Sequence, residues 1–201
     1  GLSQTLGGTG EVVFGGTSAT TNFFDVSLTA GNTLSIGSGV LVHSGVGGQG
    51  GTIRSFTGST IANAGTISSD AGKLIAITNS GGTGTLINTG TLNATGAGSV
   101  LTIAPTTWSG AGVVTALTGG TLNLGGTFPT ISLGQLNAAA GTVIITNGTL
   151  DNTAATFTLT ATTGNVQLGS TGRILNGTVT SAGAQLATVS GTTSTLDGVT
   201  L

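Results

Sequence analysis

Asn88-Thr89-Gly90-Thr91-Leu92 reads as a sharp corner followed at once by a strand. Glycine takes up the left-handed backbone that tight corners demand, and the threonine and leucine after it suit extended chain. The phrase recurs as Asn63-Ala64-Gly65-Thr66-Ile67, Gly119-Gly120-Thr121-Leu122, Asn147-Gly148-Thr149-Leu150 and Asn176-Gly177-Thr178-Val179. Its glycines, Gly65, Gly90, Gly120, Gly148 and Gly177, stand 25, 30, 28 and 29 residues apart. A period between about 20 and 50 residues marks a solenoid or a propeller.

Between the corners the aliphatic residues arrive in short pulses, among them Glu11-Val12-Val13-Phe14, Thr33-Leu34-Ser35-Ile36, Thr52-Ile53-Arg54-Ser55-Phe56, Leu74-Ile75-Ala76-Ile77 and Phe157-Thr158-Leu159. Most alternate apolar and polar residues, the pattern of a strand with one face buried. No helical period is present. Propeller blades need longer antiparallel strands joined as hairpins, whereas Gly-Thr-Leu recurs singly. The expected fold is therefore all-β: a single-stranded parallel β-helix, or β-solenoid, of the right-handed form with three short strands per coil. About 25 strands make about eight coils, which at roughly 4.8 Å per coil form a rod about 40 Å long. One coil cannot bury enough apolar surface to offset its own ordering, so stability must come from stacking on neighbours.

Composition narrows the function. The 201 residues include three Lys or Arg and five Asp or Glu, so 4% are charged, against about 25% in an ordinary soluble domain. Arg54, Lys73 and Arg173 are the only basic side chains besides one histidine, too few and too scattered for the phosphates of a nucleic acid. With 37% hydrophobic residues and a mean hydropathy of +0.44, the chain should fold. Cysteine is absent, which removes disulfides and thiolate chemistry and is compatible with folding outside the cell. No apolar run approaches the roughly 18 residues of a membrane helix, so membrane insertion is not expected. One Gly, Thr, Ser and Asn texture runs from residue 1 to 201, giving a single solenoid domain. Gly1-Leu2-Ser3-Gln4 carries no signal core, and Gly198-Val199-Thr200-Leu201 reads as a fresh strand, so the domain is expected to be a segment or repeat block of a longer fibre.

Candidate sites are sparse. Glu11, Asp25, Asp70, Asp151 and Asp197 share no short motif; a glycosidase-type carboxylate pair would need distant residues, such as Asp25 and Asp70, brought together by stacking. His43 has no Asp or Cys in its local sequence and is read as outward-facing. No Gly-Gly pair continues into a calcium-solenoid motif, and Val46-Gly47-Gly48-Gln49-Gly50-Gly51 lacks the lysine of a phosphate loop. No catalytic residue, metal or cofactor is therefore assigned. Trp108 is the weak ligand candidate, as a sugar-stacking platform, against the plainer reading of a core filler. The six phenylalanines are read as core. Asn63, Asn88, Asn147 and Asn176 precede corner glycines and are read as a structural amide ladder along the rod. Asn93, Asn147 and Asn176 also fit glycosylation sequons that Thr-rich sequence produces by chance. Thr156-Phe157-Thr158-Leu159-Thr160 would present a hydroxyl row of the kind that binds ice, but the pattern is not sustained along the sequence.

Thr121-Leu122-Asn123-Leu124-Gly125-Gly126-Thr127-Phe128, Gly148-Thr149-Leu150-Asp151-Asn152-Thr153 and Leu196-Asp197-Gly198-Val199-Thr200-Leu201 resemble very large tandem-repeat secreted proteins of environmental bacteria. Gln4-Thr5-Leu6-Gly7-Gly8-Thr9-Gly10 and Leu34-Ser35-Ile36-Gly37-Ser38-Gly39-Val40 extend the resemblance over nearly the whole chain. More distantly the chain is similar to the β-helical stalks of filamentous-haemagglutinin-type adhesins and autotransporter passengers. The resemblance implies an extracellular or cell-surface, non-enzymatic structural or adhesive role, with no catalytic residues to carry over. The expected partners are other copies of the chain, joined end to end or side by side, and surface glycans. A carbohydrate-binding or polysaccharide-degrading β-helix is the main alternative, and an ice-binding solenoid the second.

Overall fold

In a parallel solenoid each strand is hydrogen-bonded to the strand one coil away, so a residue's neighbours lie about one coil off in sequence. A computed structural model, which describes residues 2–16, 22–26 and 30–201, has this arrangement. Every pairing between its named strands is parallel. The first face is laid down by β1 (Gln4–Leu6), β4 (Thr33–Ile36), β7 (Ser59–Asn63), β10 (Gly84–Asn88) and β13 (Thr107–Ser109). It continues through the second halves of β15 (Thr121–Pro129) and β17 (Thr142–Asp151) into β20 (Arg173–Leu175) and β23 (Thr195–Asp197).

The second face comprises β2 (Thr9–Val13), β5 (Gly39–His43), β8 (Thr66–Ser69), β11 (Thr91–Thr95), β14 (Val113–Leu117) and β16 (Gln135–Asn137), then β18 (Thr156–Thr160) and β21 (Thr178–Ala182). The third holds β3 (Phe23–Asp25), β6 (Gly50–Ser55), β9 (Leu74–Asn79), β12 (Val100–Ala104), the first halves of β15 and β17, β19 (Val166–Leu168) and β22 (Leu186–Thr188). Three strands thus make one coil, and about 7 turns stack into the rod.

Coil length varies more than the phrase intervals suggest. Paired residues on the first face are 30 positions apart at Thr5 and Ser35, 25 at Ile61 and Leu86, and 20 at Thr107 and Thr127. The corners absorb the difference, since strand pairing holds the rise per coil constant.

The core consists of stacked columns. On the first face Leu34, Ile61, Leu86, Trp108, Phe128, Leu150 and Ile174 lie one above another, each buried. On the second, Val42, Ile67, Leu92, Val114 and Leu136 do the same. On the third the column is Ile53, Ile77, Ile103, Leu124, Ile145 and Leu168. Trp108 is the widest member. Its ring stacks on Phe128 with centroids 4.4 Å apart, and its indole N–H donates to the Gly125 carbonyl at 3.1 Å. Truncating it would leave a cavity among side chains that are themselves locked in register. Trp108→Ala is expected to lower stability by about 3–5 kcal/mol, read from denaturant midpoints followed by circular dichroism, with Trp108→Phe much milder.

Candidate functional site

The corner phrase proves to mark three different corners. Gly65, Gly90 and Gly177 turn the chain from the first face to the second, Gly120 from the second to the third, and Gly148 from the third back to the first. Each corner has the same needs, a small residue at close approach and then an extended start, so one phrase serves all three. Only the interval from Gly65 to Gly90 therefore measures a single coil. At the first corner, a methyl group on Gly90 would lie 2.1 Å from the Gly65 carbonyl oxygen, and Gly177 combines a φ of +68 with a would-be contact of 2.0 Å to the Asn152 oxygen. Successive backbones pack too closely there for any side chain.

The amide ladder is present in part. Asn63 and Asn88 occupy one register position at this first corner, are 1% and 0% exposed, and are joined by a bond from Asn63 Nδ2 to Asn88 Oδ1 of 2.8 Å. The rung before them is Ile36 and the position after is Gly110, so the ladder ends abruptly. Asn63 Oδ1 and Asn88 Nδ2 accordingly have no partner. The column resumes with Thr130 donating to Asn152 Oδ1 at 2.7 Å, and Asn152 Nδ2 donates to the Thr178 carbonyl at 2.8 Å. Asn176 follows, its amide donating outward to Thr153 Oγ1 at 3.0 Å. Asn147 stands on the third corner with a φ of +50 and accepts from the Thr171 hydroxyl at 3.1 Å; it is not in the ladder. Asn152, in Asn152-Thr153-Ala154 with alanine where the phrase has glycine, is the member that the phrase missed.

Trp108 is 1% exposed and has no face to offer a sugar; the structure makes it a core filler. Phe14, Phe128 and Phe157 are buried, but Phe23 is 47% exposed. The Arg54 guanidinium lies 3.5 Å from its ring centre and 5.7 Å from that of Phe56. Arg54 also grips Asp25 through two bonds of 2.7 and 2.6 Å, which clasps the first coil to the second. Asp25 is thus committed to Arg54 and makes no pair with Asp70.

His43, read from local sequence as lacking an acidic neighbour, has two. Its Nδ1 lies 2.9 Å from Asp70 Oδ2 and its Nε2 lies 3.1 Å from Glu11 Oε2. These carboxylates are 27 and 32 residues away in sequence, one coil on and one coil back. A neutral imidazole donates from one nitrogen only, so the doubly protonated ring alone satisfies both contacts. The Ser44 hydroxyl donates to Asp70 Oδ1 at 2.7 Å and the Gly45 N–H to the same oxygen at 2.7 Å. Ser44 is thus bonded to the acid and not to the imidazole, which is not the order of a nucleophilic triad. The cluster fastens three coils at the corner between the second and third faces. Asp197 is held by Arg173, and Asp151 accepts from the Thr153 N–H at 3.0 Å. No group of three or more metal-ligating side chains is found among the described residues.

Between Lys73 and Asp151 no residue is charged. The outward side of the first face carries instead one threonine per coil, Thr33, Thr60, Thr85, Thr107, Thr127 and Thr149. This column is invisible along the sequence because its members are a coil apart. The neighbouring outward column is mixed, with Ser35, Ala62, Ile87 and Ser109, so the rank is single. The chain matches no known protein family model, no curated protein and no solved structure.

Two outcomes follow from this geometry. Asn63→Ala is expected to cost about 1–3 kcal/mol by stranding the Asn88 oxygen in the core. Asn63→Ala with Asn88→Ala is expected to cost less than the sum of the single changes, both measured by urea unfolding. Burial alone would push the Asp70 carboxyl up, but hydrogen bonds from Ser44, His43 and the Gly45 N–H outweigh it and hold the carboxyl below its usual range. Its contribution is then fully present above the unfolded value of about 3.9 and is lost as pH falls through the lower folded value. Asp70→Asn is expected to flatten that acid limb of the stability profile.

Proposed function

We propose that the chain is a stiff, non-enzymatic shaft segment of a bacterial extracellular or cell-surface fibre, able to associate end to end with further coils of the same kind. The observation that carries this reading is the regular rod whose central coils, from Leu74 to Leu150, present hydroxyl, amide and aliphatic groups and no charge. Such a surface lacks the like-charge repulsion that keeps domains apart. The described ionic contacts lie towards the two ends, where each ties one coil to the next: Glu11, His43, Asp70, Asp25 and Arg54 at one, Arg173 and Asp197 at the other. That distribution suits a spacer held by stacking, and the bacterial, secreted setting is drawn from the sequence resemblance.

Negative-stain and then cryo-electron microscopy test this reading. Filaments with an axial repeat of about 4.8 Å are the expected result. Short rods that stay monodisperse at high concentration would overturn self-assembly of this segment.

A further inference from the structure

The ladder of the second face is broken at one level among the described residues. β16 pairs with β14 and ends one sheet, β18 pairs with β21 and belongs to another, and no rung joins β16 to β18. The corner before β16 contains a 3-10 turn, Thr130–Leu133, and β16 has 3 residues where β11 and β14 have 5. The longer corner takes up residues that other coils give to the strand. At the far end of the break the Ala138 N–H donates to the Thr162 carbonyl at 2.9 Å, so the two coils close again there. What lies between is a cleft of about 420 Å³.

No charged side chain lines it. Leu136 and Phe157 form an apolar floor, and Gln135, Asn137, Thr158 and Thr160 supply amides and hydroxyls at its walls. The outward hydrogen-bonded chain on this face runs from Asn93 to Ser68 at 3.2 Å and from Thr115 to Asn93 at 2.8 Å. It stops before Asn137, the next member of that column. The side-chain amides of Gln135 and Asn137 make no hydrogen bond with the described residues, so both are free to meet a ligand. The volume falls in the range of small-ligand sites, which combine apolar walls with a few placed polar groups.

We infer that this cleft binds a neutral saccharide of one or two rings. Uncharged amides and hydroxyls match sugar hydroxyls, and the missing charge disfavours uronic acids and phosphates. An extended peptide fits less well, because the Ala138–Thr162 bond blocks a strand from running through. The site is independent of Trp108 and of whether the rod is part of a fibre.

The test is titration of the isotope-labelled chain with maltose, cellobiose, lactose and diacetylchitobiose, with digalacturonate as the anionic control and a neutral Thr/Asn-rich peptide as the competitor class. Shifts confined to resonances of β16 and β18 are expected for at least one neutral disaccharide, with affinity weakened about tenfold or more by Asn137→Ala and by Gln135→Ala. Unchanged circular dichroism and melting of these outward variants would show that the rod is intact. The inference is overturned if no neutral disaccharide binds, if binding survives both substitutions, or if digalacturonate or the peptide binds more tightly.

Discussion

Each strand of this rod is hydrogen-bonded to its counterpart one coil away, and that in-register pairing decides which side chains ever meet. Side chains alternate between the two faces of a strand, so a slip of one residue in any coil would turn its whole apolar set outward. Register is thereby fixed coil by coil, and the columns follow from it: Leu34 to Ile174 on one face, Ile53 to Leu168 on another. The amide pair of Asn63 and Asn88, the threonine column and the Trp108–Phe128 stack are consequences of the same rule. Each joins residues a coil apart that local sequence keeps separate.

The architecture was legible because alternation and corner chemistry are local properties. Val, Ile and Leu pulses named the strands, and glycine named the corners. The expected strands Thr33–Ile36 and Leu74–Ile77 lie within observed ones. Coil length was less legible, since the corner phrase marks any of the three corners and its spacing mixes whole coils with part coils. The polar clusters were harder still. His43 meets Glu11 and Asp70 only because the register sets β5 between β2 and β8, and no motif within ten residues of His43 announces it. The break between β16 and β18 is likewise a property of register between coils and leaves no local mark beyond the Thr130–Leu133 turn.

Charge is kept out of the central coils. The bridges of Arg54 with Asp25, His43 with two carboxylates, and Arg173 with Asp197 lie on either side of them and supplement the ladders there. Partly exposed pairs of this kind contribute modestly to stability; their geometric effect is to hold corners of successive coils together. The central coils do without them, having buried columns above and below.

The interrupted ladder also has a mechanical meaning. At the level where β16 and β18 fail to pair, the other two faces remain bonded, β15 and β17 to each other on the first and β17 to β19 on the third. A beam joined along two sides and slit along the remaining one does not flex equally in every direction. Bending that opens the slit stretches only the Ala138–Thr162 bond at its far end, whereas bending towards either intact face loads a continuous ladder. The rod therefore has a preferred direction of flexure, set by one short strand and the turn that precedes it.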